Sequence, residues 1–415
     1  MRKYHLHRWL LLSLLFSIFI QVVGITFLIP VDNYDSKEYL SISRNLFNGN
    51  GYAVSGTSFK KFKSFQGEIP TRMRQPLYPL YLVLFYWTLG ENLLTIQISQ
   101  IILNVLSFIF IFLIAHKIFG DNLWSGTLIG LGLYFPLWLT SAFVGTESLF
   151  IILLALFMFL FQKAIYSEKL ILFILSGVVL GCAFLTRPIT LLVCPLCLIP
   201  ILFYNKLSKA IVNWSVLLIA FFIVLSPWFI RNAIVLGDYT FLSTEGGYVL
   251  WCGSSKYEHK WFESQEVREA VQNGYYIDRK ADKRFKRMAI ENIKKDSIGV
   301  FKRGLLGVTW VWSYFPGSQQ YRNNNLVFLI FSFVQCAILI FALLGLLFSK
   351  CSYRAYLLLP AISFSIILIF AKGISRYIVP AMPFVLILSG QGFYWLKQKI
   401  LRFILLRQPI RHGRT

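Results

Sequence analysis

WLLLSLLFSIFIQVVGITFLIPVDNYDSKEYLSISRNLFNGNGYA, residues 9–53, joins a long apolar run to a sudden patch of acid. Residues 9–30 have the length of a transmembrane helix, which needs about 20 apolar residues. A basic stretch, 1–8, precedes them, and no small-residue cleavage site follows. The run therefore reads as an uncleaved first span rather than a removable leader. Asp32, Asp35 and Glu38 come immediately after it, where the chain leaves the bilayer. Asp35, Tyr39, Ile42 and Leu46 share one helical face, and Gly49-Asn50-Gly51 supplies a stop signal. The expectation is a helix lying on the membrane that fixes a carboxylate near its surface. Asp35 and Glu38 also have capping-box spacing, so Asp35 could instead cap that helix.

Composition sets the class. The 415 residues are 57% hydrophobic and 14% charged, against about half apolar and a quarter charged in soluble domains. Only helices or closed barrels satisfy the backbone inside lipid. The apolar runs predict an all-α polytopic bundle of about ten, at most twelve, transmembrane helices. Beyond the first, they fall near 93–115, 123–140, 147–162, 170–186, 189–204, 211–230, 326–348, 355–371 and 377–395. Segments 77–89 and 304–315 are apolar but short or interrupted. Cys194 and Cys197 have C-x-x-C spacing, yet they sit in an apolar helix and read as packing residues.

The net charge of +23 is explained by position. With the N-terminus inside, the short inner turns and both termini collect sixteen Lys and Arg, and the short outer turns hold only Arg187, Lys372 and Arg376. This bias predicts a plasma-membrane protein with both termini cytoplasmic. Two extracytoplasmic loops, 31–76 and 231–325, divide the chain into an N-terminal membrane module (1–230), an outer loop unit (231–325), C-terminal helices (326–396) and a basic tail (397–415). The tail reads as an anchor to anionic membrane lipids. No motif points to nucleic acid. Residues 256–303 read as amphipathic helix rich in both charge signs, the pattern of a solvated helical face.

Charges at the outer helix ends single themselves out, since one at a helix centre costs about 2.5–3.5 kcal/mol on insertion scales. They are Glu147, Arg187, Arg231, Lys372 and Arg376, and Arg72 and Arg74 join them from the first loop. Singly, each reads as a snorkelling or capping residue. Together with Asp32 and Asp35 they make a mixed-sign constellation on one face. Such a set suits a site that binds a lipid-linked phosphate and deprotonates an acceptor.

The motifs DSKEYLSISRNLFNGNGYA, RQPLYPLYLVLF, TESLFIILLALF, GVVLGCAFLTRPITLL, SPWFIRNAIVLGDYTFLSTEGGYVLWCG and SRYIVPAMPFVLILSG follow one another over most of the chain. In this order they resemble the GT-C superfamily of polytopic glycosyltransferases, and within it the family-39-like enzymes. Those include protein O-mannosyltransferases and the bacterial transferases that add aminoarabinose to lipid A. The resemblance implies a GT-C-like bundle whose first outer loop carries an interfacial helix. It implies transfer of a sugar from a polyprenyl-phosphate donor to a lipid, glycan or protein acceptor at the extracytoplasmic face. It matches Asp35 to the first-loop acid, with Asp32 as the fallback, and Glu147 to the second acid. The loop signature of protein mannosyltransferases is missing and the outer unit is short, so the acceptor stays open.

The expected chemistry is an inverting displacement. Asp35 takes the acceptor proton, and Glu147 assists or binds a metal. Arg187 and Arg376 contact the phosphate, with Arg74, Arg231 and Lys372 as further cations. Tyr39, Tyr78 and Tyr377 are candidates for hydrogen bonds to substrate and equally for an interfacial aromatic belt. No cofactor is assigned. Histidine spacing argues against a tight zinc site and leaves room for a loosely held Mg²⁺ or Mn²⁺ on carboxylates. Two other readings compete. An envelope polysaccharide polymerase or ligase would also use lipid-linked sugar. A flippase would want its charges near the bilayer midplane between repeats, and no repeat is visible here.

Overall fold

The computed structural model describes residues 2–27, 34–55, 67–120, 131–132, 134–256, 279–313, 325–348, 354–371 and 373–406. Its helices are α1 (Arg2–Phe27), α2 (Tyr34–Phe47), α3 (Leu77–Leu89), α4 (Leu93–Phe119), α5 (Glu147–Ser167), α6 (Leu170–Phe184) and α7 (Leu207–Leu236). They continue with α8 (Glu245–Ser254), α9 (Arg279–Lys295), α10 (Ser297–Ser313), α11 (Asn325–Phe348), α12 (Leu359–Phe370) and α13 (Met382–Leu406). Short helical turns fill the breaks, and a two-stranded antiparallel ribbon, Ala53–Ser55 against Glu68–Pro70, is added to the all-α plan.

Among the described residues, six helices are long and apolar enough to cross a membrane: α1, α4, α5, α7, α11, and α13 with the 3-10 turn before it. Four further apolar helices are shorter: Leu77–Leu89, Leu170–Phe184, Pro188–Leu202 and Leu359–Phe370. The polytopic all-α reading holds. Half of the span expected near 123–140 lies outside the described residues, and its described end is a short helix, Phe135–Trp138, that runs into a 3-10 turn. Segment 189–204 is broken into a 3-10 turn and two short helices, since each proline there removes a backbone donor. The described part of segment 304–315, residues 304–313, is the second half of the amphipathic α10.

Lipid offers no hydrophobic drive between spanning helices, so close packing must hold them. Where α11 meets α13, Gly345 and Gly392 let the backbones touch. A Cβ at Gly392 would lie 1.9 Å from the Phe341 carbonyl oxygen. The bundle centre is aromatic, with Phe108, Trp138, Phe150, Phe157, Phe161 and Phe221 fully buried.

The first loop is folded onto the bundle. Tyr39 and Ile42 of α2 are buried. Ser43 donates to the Pro79 carbonyl of α3 at 3.2 Å, and Asn45 donates to Ala53 of the ribbon at 2.9 Å. Gly49 and Gly51, with φ +81° and +75°, end the helix as their sequence predicts. The segment expected as one amphipathic helix over 256–303 is two helices in its described part, 279–303. They break at Asp296, whose carboxylate accepts from the Gly299 amide at 3.0 Å and caps α10. Residues 257–278 lie outside the described set.

One buried ionic network binds the second loop unit to the first. Arg72 donates to Asp238 at 3.0 Å, to the Leu242 carbonyl at 2.8 Å and to Asp282 of α9 at 2.9 Å. Asp282 also accepts from the Gly247 amide of α8 and from Lys286. Around it Tyr248, Trp251 and Phe285 form a small separate core. Removing one member of a buried ion pair strands the other. Arg72→Ala should therefore cost about 3–5 kcal/mol, read as a lower thermal midpoint in detergent and faster proteolysis within 231–313. Wild-type proteolysis of that segment would show that the network does not hold the unit.

Candidate functional site

The sequence of α2 turns the predicted acids inward. The helix begins at Tyr34, so Asp35 is inside its first turn and not at the cap. Arg74 leaves the ribbon and meets it. Its Nη2 donates to Asp35 at 2.7 Å, its Nε to Glu38 at 2.5 Å, and its Nη1 to Glu245 at 3.0 Å. Its guanidinium also lies over the Tyr39 ring, 5.2 Å from the centroid. Arg376, from the 3-10 turn before α13, donates to the other Asp35 oxygen at 2.7 Å. Three carboxylates thus share two guanidiniums.

A second pair stands at the start of α5. Arg187, in the turn after α6, donates to Glu147 at 3.0 Å. Its guanidinium lies over Phe150 and over Tyr377, 5.3 Å from the latter centroid. Tyr377 also receives Arg376 at 6.0 Å. Arg376 interacts electrostatically with Glu147 as well as with Asp35, so the two pairs form one site. Tyr39 packs edge-on against Tyr78 at 5.0 Å, and Tyr78, fully buried, donates to Gln100 at 3.1 Å. Tyr78 therefore backs the site from behind.

The structure thus brings together Asp35, Tyr39, Arg74, Tyr78, Glu147, Arg187, Arg376 and Tyr377. Arg231 is committed elsewhere: it donates to the carbonyls of Thr71 and Tyr52 at 2.7 and 2.8 Å, bracing the loop. Asp32 and Lys372 lie outside the described residues. Two acids enter that the candidate set lacked. Glu38 carries a sequence signal, a second acid one turn along α2. Glu245 had only a weak one, an acid ahead of two glycines, 171 residues from the arginine it meets.

Exposure separates the members. The side chains of Asp35 and Arg376 are 31% and 45% exposed, and Glu38 is 6% exposed. Burial opposes ionisation of Asp35, but Arg74 and Arg376 outweigh it and hold the carboxyl well below the usual range. Glu38 goes the other way. Burial, reinforced by repulsion from Glu245 and Asp35, pushes it up to about 8, because the attraction of Arg74 is shared three ways. Asp35 and Glu147, the acids that would hold Mg²⁺ or Mn²⁺, are both engaged by arginine. Among the described residues no group of three His, Cys, Asp or Glu is arranged to hold a metal ion.

Residues 74–230 match the family model described as dolichyl-phosphate-mannose-protein mannosyltransferase. No curated protein matches the chain by sequence. Among solved structures, the Archaeoglobus fulgidus oligosaccharyltransferase in complex with zinc and sulfate aligns with a TM-score of 0.56 at 12% identity, over 96% of this chain and 50% of that one. AglB from the same organism, bound to an inhibitory peptide and a dolichol-phosphate, aligns at 0.54 and 13%, over 100% and 53%. The likeness to Cupriavidus metallidurans ArnT bound to undecaprenyl phosphate is weaker, with a TM-score of 0.45 at 13% identity over 97% and 81%. This chain spans about half the length of the archaeal chains it matches.

A prediction follows from Glu38. A carboxyl whose pKa rises on folding makes the folded state bind the extra proton, so stability falls as pH rises from the ordinary glutamate range to about 8. Glu38→Gln keeps the shape of the protonated acid. The thermal midpoint of wild type should drop across that window relative to the variant, and parallel curves would mean that Glu38 is ionised throughout. With the charged site placed at one end of a helical bundle, the chain shares its fold with these archaeal oligosaccharyltransferases.

Proposed function

We propose that the protein is a membrane glycosyltransferase that moves a sugar from a polyprenyl-phosphate donor to an envelope acceptor at the extracytoplasmic face. The carrying observation is Asp35, a partly exposed carboxylate bridged by Arg74 and Arg376, with the Glu147–Arg187 pair beside it. The match of residues 74–230 to the mannosyltransferase model supports the reaction class. So does the dolichol-phosphate bound by the structurally similar AglB, since that is the kind of lipid phosphate this donor would carry. The distribution of Lys and Arg supports an extracytoplasmic site with both termini in the cytoplasm.

In this reading the acceptor oxygen or nitrogen attacks the anomeric carbon. The bond from that carbon to the phosphate oxygen breaks, and the lipid phosphate leaves with the electron pair. The acceptor proton passes to Asp35. Arg376 and Arg187 meet the phosphate and neutralise the charge it gains, the contribution that is often largest in such reactions. Tyr377 sits between them, and Tyr39 with Tyr78 behind it shapes the wall. Glu147 keeps Arg187 oriented and assists. Arginine pairing makes Asp35 a weak base before substrate arrives. An incoming phosphate competes for Arg376, the more exposed of its two partners, and releases the carboxylate when it is needed.

Asp35→Asn, assayed with polyprenyl-phosphate sugar in membranes, should lose transfer by about 10²–10⁴-fold while donor binding persists. Full activity would remove Asp35 from the reaction. Arg376→Ala should raise the apparent donor KM, and an unchanged value would count against phosphate contact.

A further inference from the structure

We infer that the basic face of α9 docks a polyanionic acceptor, a linear polymer carrying phosphodiester groups. The inference deepens the transferase reading and rests on it for the role of acceptor. Lys280, Lys283, Arg284, Arg287 and Lys294 recur at three- and four-residue steps and are all exposed. At helical rise they make a stripe about 20 Å long, interrupted once by Glu291. Two salt bridges touch this side of the helix, Lys286 to Asp282 at 3.0 Å and Lys283 to Asp238 at 4.0 Å.

The opposite face weighs against insertion of α9 itself into the bilayer. A basic helix that lies in the headgroups needs an apolar face to sink among the acyl chains. That face of α9 is already used: Ala281, Phe285 and Ala289 are buried with Tyr248 and Trp251 of α8. Of the large hydrophobics on α9, only Ile290 is among the exposed ones. The stripe therefore projects from a helix whose apolar side is spent on protein. It is also tied to the reacting cluster. Asp282 of α9 holds Arg72, two residues before Arg74, and accepts from the amide of Gly247, two residues after Glu245. The helix that carries the stripe is thus fixed to the segments that carry Arg74 and Glu245, and lysine and arginine are residues that bind phosphate.

The test uses the full chain in phosphatidylcholine nanodiscs and a fluorescent synthetic poly(glycerol phosphate) probe, without donor. Wild type should bind it, more weakly as salt rises, and should ignore a neutral dextran of equal length. Arg284→Gln/Arg287→Gln/Lys294→Gln should raise Kd about tenfold with the thermal midpoint unchanged. Lys397→Gln/Lys399→Gln on α13 should leave it alone. Failure to bind, equal binding of dextran, or undiminished affinity in the triple variant overturns the inference. Binding that vanishes when phosphatidylglycerol replaces phosphatidylcholine assigns the face to lipid headgroups and also overturns it. Because no donor is present, a negative result leaves the role of Asp35 standing. Lost transfer is read separately, in Asp35→Asn.

Discussion

Arg74 is a largely buried cation held by three acids from two distant parts of the chain. A guanidinium cannot shed its charge, so its burial is tolerable only with carboxylates around it. That requirement fixes the inner side of α2 and the start of α8 against the end of the ribbon. With α2 fixed, Asp35 is aimed at Arg376 and the entrance of α13. The site is therefore the solution to an electrostatic constraint as much as the catalytic arrangement we propose.

The same constraint sets the character of each acid. Asp35 has two guanidiniums and some water, so it stays ionised. Glu38 has a third share of one guanidinium and almost no water, so it favours its proton. Two glutamates of like chemistry, Glu38 and Glu245, differ in exposure by position alone, at 6% and 26%. An excess of one carboxylate over the guanidiniums leaves the cluster with a proton to place, and the most buried member takes it.

Arg72 does for the loop unit what Arg74 does for the site. The two lie in one short segment, with Met73 between them buried against Ile42 and Val54. One arginine ties α9 and the end of α7, the other ties α2 and α8. The two arginines thereby join α9 to the segment that carries the Asp35 cluster.

Much of this was legible in the residues. Apolar run length predicted the polytopic helical class, glycines predicted the end of α2, and the outer-rim charges included Asp35, Arg74, Glu147, Arg187 and Arg376, which the fold brings together. Periodicity and local capping are short-range properties, so they survive without tertiary context. Pairing is not short-range. Asp35 meets Arg376 across 341 residues and Arg74 meets Glu245 across 171, and nothing in either local sequence selects those partners. Arg231 reads in the sequence as a further cation at the outer rim, yet the fold turns its donors onto the carbonyls of Tyr52 and Thr71. The sequence by itself determined a helical membrane protein and the inventory of charged groups at one rim. Only the tertiary structure decided which carboxylate is bridged, which is buried and which cation is left exposed, because Coulomb energy and desolvation depend on distance through space and not along the chain.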